Sequence, residues 1–289
     1  MSVSKIAVVT GTSTGFGHDT ARLLVEAGNV VFGTMRDIAG RNAEPAKALE
    51  RLGITVVDMD VTDENSVERG VAKIVDAAGR VDVLVNNAGT AHFGTTEAYT
   101  PASLERQLAT NVIGPFRLAR AFLPGMRERH SGLVVFVSSV VGRFAMPFNG
   151  IYTSSKWAIE ALAEAFSYEL RPFEVDVAIV EPGAYATNIG NVMIKPDDVE
   201  RLASYGEIAK TADMMMAGLS SIAGPPIEVA EAIAALVAAE PGTRPLRTVV
   251  PSDSPASHIN ELVEPIQRSI LEGFGLGQFL RPAPSGIVS

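Results

Sequence analysis

A tyrosine and a lysine four residues apart, Tyr152 and Lys156, are the side chains of this sequence best suited to proton transfer. A phenol has an ordinary pKa of about 10, which is too high for efficient proton transfer near neutrality. A neighbouring ammonium group favours the phenolate and lowers that pKa. A spacing of four places both side chains on one helix face. Because such pairs also occur on ordinary helix surfaces, their function depends on what the rest of the chain brings beside them.

The segment TGTSTGFG, residues 10–17, follows an apolar run and precedes a helical pattern. Gly11, Gly15 and Gly17 allow a tight turn and a close approach of the backbone to a ligand. The N-terminus of the next helix offers free N–H groups and the positive end of the helix dipole to a pyrophosphate. The segment therefore predicts a dinucleotide site, with a purely structural turn as the alternative.

Short β-branched runs alternate with amphipathic stretches along most of the chain. The runs are residues 5–10, 30–35, 55–60, 81–86, 133–139, 175–180 and 247–250, and the amphipathic stretches are residues 17–27, 42–52, 65–78, 103–129 and 150–170. Near-continuous apolar runs are typical of strands buried on both faces. The alternation predicts an α/β fold, a Rossmann-type doubly wound parallel sheet of about seven strands in a single domain over residues 1–289.

Four candidate residues follow strands of this predicted sheet. They are Gly11, Asn87, Ser139 and Pro182. In open α/β sheets, ligands bind beyond the carboxyl ends of the strands, near the switch point in strand order. We therefore expect these residues to line one crevice. Tyr152 begins the helix after the fifth strand and is expected to face the same crevice.

Composition excludes several classes of protein. The 289 residues carry a net charge of −9, which argues against a nucleic-acid partner. There is no cysteine, so a disulfide framework, a cysteine zinc site and a thiolate nucleophile are excluded. The four histidines show no metal-ligand spacing. Apolar runs stay well below the roughly 20 residues of a membrane span, and no signal peptide is recognisable, so we expect a cytoplasmic protein.

Two segments lie outside the strand–helix alternation. Residues 188–224 are interpreted as a substrate lid, and core packing by methionines is the alternative. Within this segment residues 197–224 look helical and contain three successive methionines at 214–216. Residues 254–289 form a C-terminal extension. Val141, Phe148 and Tyr185 are expected near the crevice, where they favour a bulky, apolar carbonyl substrate.

Five motifs in order resemble the short-chain dehydrogenase/reductase family over residues 4–253. They are the T-G-x-x-x-G-x-G loop, NNAG at residues 86–89, the serine pair at 138–139, YTSSK at 152–156 and PGAYAT at 182–187. Asn111 lies in the long helical stretch between the second and third of these motifs. GTMRD, residues 33–37, is similar to the hydroxysteroid- and retinol-dehydrogenase-like branch of the family.

The resemblance implies a role for each polar residue. Tyr152 would donate a proton to a substrate carbonyl oxygen, or accept one from an alcohol. Ser139 would hold the same oxygen, Lys156 would also bind the nicotinamide ribose, and Asn111 would position a water linked to Lys156. The implied cofactor contacts are Gly11, Ser13, Thr14, Gly15, Phe16, Gly17, Arg36, Asp60, Val61, Asn87, Ala88, Gly89, Tyr152, Lys156, Pro182, Gly183 and Thr187.

The second strand ends in Met35, where the family usually carries the acidic residue that selects NAD, and Arg36 follows. An arginine here accommodates the 2′-phosphate, so NADP(H) is predicted, with NAD(H) as the alternative. Thr14 stands where many NADP-dependent relatives carry a basic residue.

The predicted function is an NAD(P)-dependent oxidoreductase, a ketone or aldehyde reductase that prefers NADPH and acts on an apolar small-molecule carbonyl compound or alcohol. The alternative is a non-catalytic NADP(H)-binding regulatory protein. A sugar epimerase or dehydratase shares the Tyr–Lys pair but usually has a longer chain and a different glycine spacing. The resemblance also implies a homodimer or homotetramer that pairs through the fourth and fifth helices.

Overall fold

Seven parallel strands form one sheet in the order β3-β2-β1-β4-β5-β6-β7. The computed structural model describes residues 4–185, 193–221 and 223–280. The strands are β1 (Ile6–Thr10), β2 (Val30–Met35), β3 (Thr55–Asp58), β4 (Val83–Asn86), β5 (Gly132–Val137), β6 (Val175–Pro182) and β7 (Arg247–Val250). The predicted single-domain doubly wound sheet is therefore confirmed.

Helices flank the sheet on both faces. In the described ranges they are α1 (Gly15–Glu26), α2 (Ala43–Arg51), α3 (Glu64–Ala78), α4 (Pro101–Leu108), α5 (Gly114–Glu128), α6 (Gly150–Glu169), α7 (Val199–Ser204), α8 (Glu207–Ser221), α9 (Ile227–Ala238) and α10 (Pro255–Gly273). Asp63 caps α3, since its carboxylate accepts a hydrogen bond from the Ser66 N–H at 2.9 Å.

The strands are apolar on both faces because the core lies on both sides of the sheet. Val9, Val85 and Val135 pack into one buried cluster with α1 and α9 residues. Their neighbours Val8 and Leu84 pack into the other, with residues of α3, α5 and α6. Successive side chains of a strand point to opposite faces of the sheet, so one continuous apolar run contributes to both cores.

The sequence predicts one continuous helix over residues 103–129, and this prediction is wrong. The chain forms α4, then a π turn at Ala109–Ile113, then α5. Pro115 has no N–H to donate to the carbonyl of Asn111, four residues earlier, so a regular α-helix cannot continue there. The Gly114 N–H bonds instead to the carbonyl of Ala109. Such π turns often occur at functional sites.

The carboxyl ends of three strands also differ from the predicted ones. β3 ends at Asp58 and β5 at Val137, each two residues earlier than expected, whereas β6 continues two residues further, to Pro182. The sheet hydrogen bonds decide these ends, because β6 pairs with β7 up to Pro182 and Val250. Asp60 and Ser139 consequently lie in the loops beyond the strands.

The predicted lid falls partly outside the described residues. Its described part contains α7 and α8, so the helical interpretation is confirmed for residues 199–221, but its role as a lid stays a prediction. The C-terminal extension begins with α10, in which only Ala256 is buried. Among the described helices, none combines the length and the apolar character that a membrane crossing requires.

Candidate active site

The glycine loop is tied directly to the segment after β4. The Asn87 side-chain amide donates to the carbonyl oxygens of Thr10 at 2.8 Å and Gly11 at 3.2 Å. The Thr10 hydroxyl accepts from the N–H groups of Asn87 at 3.0 Å and Ala88 at 2.9 Å. Gly11 has φ +71°, and a Cβ there would lie 2.8 Å from the Ala88 Cα. Two sequence motifs 75 residues apart thus form one rigid corner.

The N-terminus of α1 opens beside this corner. Gly15 adopts φ +61°, which favours glycine. Thr14 holds the N-cap position, and in the described part of the chain its hydroxyl makes no capping hydrogen bond. The first-turn N–H groups therefore stay available to an anion. Gly17 lies behind the loop, where a Cβ would come within 2.4 Å of both the Asn87 Nδ2 and the Gly11 carbonyl oxygen.

A cleft of about 610 Å³ runs along the carboxyl ends of the strands. Most predicted cofactor and catalytic residues line it: Gly11, Ser13, Thr14, Gly15, Phe16, Arg36, Asp60, Val61, Asn87, Ala88, Gly89, Ser139, Tyr152, Lys156, Pro182 and Gly183. Of the other predicted site residues that the structure describes, Gly17, Asn111, Val141 and Phe148 do not line it. Thr187 lies outside the described residues.

The cleft also contains residues that sequence reasoning missed. Thr34, Met35 and Met59 line it where β2 and β3 end, and Arg41 and Asn42 line it just before α2. The first three follow from the strand-end rule, which was applied only to glycine and polar motifs. The sequence carried no signal for the two loop residues beyond their closeness to Arg36.

Tyr152 and Lys156 lie in the first two turns of α6, next to Ser139. Tyr152 is half-buried and Lys156 is buried. The Lys156 ammonium donates to the carbonyl of Val137, the last residue of β5, at 2.9 Å, and lies 5.4 Å from the centroid of the Tyr152 ring. The Ser139 hydroxyl donates to the carbonyl of Pro182 at 3.2 Å. Two polar side chains of α6 and one from the loop after β5 therefore lie at the same end of the cleft.

Burial dominates the electrostatics of this group. It raises the pKa of Tyr152 to about 12, against the lowering effect of a hydrogen bond with Ser139. It lowers the pKa of Lys156 to about 8, against the opposite effect of the Glu160 carboxylate. The expected lowering of the Tyr152 pKa is not met in this structure, because desolvation of the phenol outweighs the hydrogen bond with Ser139. An effect of Lys156 on that pKa stays a prediction.

Asn111 lies in the π turn and holds the segment after β4. Its side-chain oxygen accepts from the Thr90 N–H at 2.9 Å, and its amide nitrogen donates to the Thr90 carbonyl at 3.0 Å and the Ser155 hydroxyl at 3.1 Å. Since Pro115 cannot bond to the Asn111 carbonyl, that oxygen lacks its regular helical donor. The role of Asn111 in positioning a water molecule stays a prediction, in which this backbone oxygen would accept a hydrogen bond from the water.

Arginines mark the other end of the cleft. The Arg36 guanidinium lies 3.4 Å from the Asp60 carboxylate and its side chain is half-exposed. Burial raises the pKa of Asp60, but hydrogen bonds from Thr62 and the charge of Arg36 outweigh it, so the pKa lies below its ordinary value. Arg41 lines the same end. A recess of about 490 Å³ adjoins it and is also lined by Arg36, Arg41 and Asp60.

Of the three predicted substrate-pocket residues, Tyr185 alone lines the cleft among those described. Its ring packs edge-on against Phe16 with centroids 5.7 Å apart, and its hydroxyl donates to Glu228 at 2.9 Å. Tyr185 therefore joins the glycine loop to α9 across the cleft. Val141 is buried and Phe148 is partly buried with φ +61°, so their part in substrate binding stays a prediction.

Comparison with known proteins identifies the same family that the motifs suggest. A family model described as short chain dehydrogenase matches residues 5–197. A 3-ketodihydrosphingosine reductase of Bacteroides thetaiotaomicron is 37% identical over 183 residues, covering 63% of this chain and 65% of that protein. Retinol dehydrogenase 8 of Homo sapiens is 36% identical over 188 residues, covering 63% and 60%. The chain thus spans less than two thirds of the length of these relatives.

Solved structures match over more of the chain. A short-chain dehydrogenase from Streptomyces avermitilis is 34% identical, with a TM-score of 0.78 over 95% of this chain and 98% of that one. An alcohol dehydrogenase from the archaeon Thermococcus sibiricus, complexed with 5-hydroxy-NADP, is 28% identical, with a TM-score of 0.69 over 86% and 96%. The fold therefore extends beyond the segment that the family model matches.

Proposed function

This chain belongs to the short-chain dehydrogenase family, and we propose that it is an NAD(P)-dependent oxidoreductase that interconverts a carbonyl compound and an alcohol. The observation that carries the proposal is that a single cleft is lined both by the glycine loop and by Ser139, Tyr152 and Lys156. A phosphate-binding corner and a proton-transfer group in one cleft are what a nicotinamide-dependent reaction requires.

The residues present fit such a cofactor. Gly15 lines the cleft with φ +61° and leaves the loop without a side chain where the backbone must approach a pyrophosphate, and the open N-terminus of α1 favours its negative charge. Lys156 would hold the nicotinamide ribose. A bound nicotinamide supplies the hydride for carbonyl reduction, or accepts it in the reverse direction.

Tyr152 acts as the general acid in the reductive direction. Its raised pKa keeps the phenol protonated at neutral pH. The alkoxide that develops on a reduced carbonyl is a far stronger base than a phenolate, so the proton moves from Tyr152 to that oxygen. Ser139 donates a hydrogen bond to the same oxygen, and the Lys156 ammonium stabilises the phenolate that remains. The half-buried setting strengthens these interactions.

NADP(H) is the favoured cofactor. Arg36 and Arg41 bring two guanidinium groups to the cleft end where the adenosine ribose would lie, and a guanidinium binds phosphate in a bidentate manner. The similar alcohol dehydrogenase from Thermococcus sibiricus binds an NADP derivative. NAD(H) is the alternative, since Asp60 pairs with Arg36 and offsets its charge.

The substrate is proposed to be a ketone or aldehyde with a bulky apolar body. Two similar proteins carry names of apolar, long-chain compounds, 3-ketodihydrosphingosine and retinol. Tyr185 and Ile194 line the cleft with an aromatic and an aliphatic side chain, which is consistent with such a compound.

A panel of long-chain ketones, aldehydes and short polar carbonyls tests the proposal by the loss of NADPH absorbance. We expect turnover with apolar members and little with the short polar ones. A protein that binds NADPH tightly and reduces no member of the panel would instead favour the non-catalytic regulatory alternative.

A homodimer or homotetramer is also proposed, with α5 and α6 at the contact. Trp157 on α6 is 51% exposed and Ile113, just before α5, is 44% exposed. Large apolar side chains of this kind favour a subunit interface over a surface in contact with solvent. Sedimentation at micromolar concentration tests this, and a monomer would contradict it.

A further inference from the structure

A buried charge cluster lies directly behind the active site. Arg247 of β7 contacts three carboxylates through its guanidinium: its Nε lies 3.0 Å from Glu160 and 3.3 Å from Glu181, and its Nη2 lies 2.7 Å from Glu164. The side-chain exposures of Arg247, Glu160, Glu164 and Glu181 are 10%, 4%, 14% and 0%. The proposed mechanism uses none of these groups.

The cluster holds more acid than base. Three carboxyl groups face Arg247, and the charge of Arg143 also acts on Glu164 and Glu181, so full ionisation would bury one more negative charge than the two guanidinium groups offset, at a high desolvation cost. Glu160 and Glu181 approach the same Nε of Arg247, which puts two carboxyl groups of like charge side by side. In the described part of the chain, one oxygen of each, Oε1, has no hydrogen-bond partner. The repulsion between two such groups is strong because both are buried.

The electrostatics of Glu181 agree with this count. Burial, and then the charge of Glu160, raises the pKa of Glu181 to about 7. The Asn260 amide from α10 donates to its second oxygen at 2.8 Å and covers it from the C-terminal side. At neutral pH Glu181 is therefore only partly ionised.

Glu160 lies one helical turn from the active-site lysine. Glu160 follows Lys156 by four residues on α6, so the two side chains share a helix face. A Cβ on Gly142, in the turn after Ser139, would lie 2.9 Å from the Glu160 Cγ, so the carboxyl group packs under the catalytic loop. Burial lowers the pKa of Lys156, and the negative charge of Glu160 opposes this effect.

We propose that Glu160 and Glu181 are positioning residues whose carboxyl groups supply the negative charge behind the active site that keeps Lys156 in its ammonium form. The inference rests on the proposed function, because it concerns the lysine assigned there. Glu160 acts on Lys156 through space, and Glu181 adds a second carboxyl group beside Glu160 on Arg247. The other charged or titratable groups around the pair are Arg143, Glu164 and Arg247, and Tyr168 contacts Glu164.

The test is a pH titration of Lys156, monitored by NMR in protein that carries ¹³C-labelled lysine. The Lys156 signal is assigned by its absence from the spectrum of Lys156→Arg. The variants are Glu160→Gln, Glu181→Gln and the double variant, which keep the shape and remove the charge. We expect the double variant to lower the pKa of Lys156 by about one unit or more. Each single variant should lower the pKa of Lys156 less, because one of the two carboxyl groups then remains.

Glu164→Gln is the matched control. Glu164 contacts the same arginine but lies two turns from Lys156, so its loss should leave the Lys156 titration unchanged while costing similar stability. An unchanged Lys156 pKa in a folded double variant overturns the proposal. If circular dichroism shows the double variant to be unfolded, Glu160→Gln decides, since its shift must then exceed that of Glu164→Gln.

The titration needs no turnover, so this inference and the proposed function can fail separately. A shifted Lys156 pKa in a protein that reduces no carbonyl would sustain the inference and refute the function. Where turnover is found, the alkaline limb of the rate profile for carbonyl reduction should move to lower pH in the double variant by the same amount as the NMR titration.

Discussion

Replacing Gly17 by alanine tests the rigid corner between the glycine loop and the NNAG segment. The added Cβ would lie 2.4 Å from both the Asn87 Nδ2 and the Gly11 carbonyl oxygen, whereas ordinary contacts lie at 3.4–4 Å. One partner is backbone, so the loop must move by about 1 Å, and overpacking of this kind costs about 1–3 kcal/mol. Because this shift falls on the phosphate-binding backbone, and 1.4 kcal/mol is tenfold in affinity, we expect NADPH binding to weaken about 10- to 100-fold.

The assay is a fluorescence titration of NADPH, run beside thermal unfolding of the same variant. Gly218→Ala is the matched control, because its Cβ would meet no atom within 4 Å and it lies in the exposed part of α8. We expect that control to bind NADPH as the unaltered protein does. Unaltered NADPH affinity in a folded Gly17→Ala protein would refute the account of this corner.

Three further outcomes follow from the site and the core. Arg36→Ala should weaken NADPH binding and spare NADH in parallel titrations, because its guanidinium is assigned to the 2′-phosphate; equal losses for both cofactors would contradict the assignment. The rate of carbonyl reduction should fall as the pH rises through about 8, where Lys156 loses its proton, and a profile that stays flat well above that pH would count against it. Arg244→Ala should lower the free energy of unfolding in urea by about 3–5 kcal/mol, because it removes the guanidinium that neutralises the buried Asp176 carboxylate. Arg22→Ala, which breaks a more exposed pair, should change it by less than about 1 kcal/mol, and a similar loss in both variants would refute the reasoning.

Much of the sheet and the cleft could be predicted because strong local patterns determine them. Runs such as residues 177–180 are apolar and buried at every position, and parallel pairing then brings their carboxyl ends to one edge. Gly11, Asn87 and Ser139 consequently line one cleft, although they are far apart in the chain. The family motifs added the roles that periodicity alone does not contain.

Other features depend on competing effects or on distant packing. The break at Asn111 had a signal in Pro115, but the amphipathic pattern of residues 103–129 continues across it and hides the π turn. The pKa of Tyr152 depends on burial against a hydrogen bond with Ser139, two opposed effects that spacing in the sequence cannot rank. The pairing of Glu160 with Glu181 requires α6 to pack on β6, so no local pattern announces it.

The rate of Tyr152→Phe tests the central claim most directly. The change removes one hydroxyl and keeps the ring, so the fold and the NADPH affinity should be retained. With any carbonyl substrate from the panel, we predict that turnover falls by at least about 10²–10⁴-fold, the usual loss for a general acid. Turnover near that of the unaltered protein, in a variant that still binds NADPH, would contradict the assignment of Tyr152 as the proton donor.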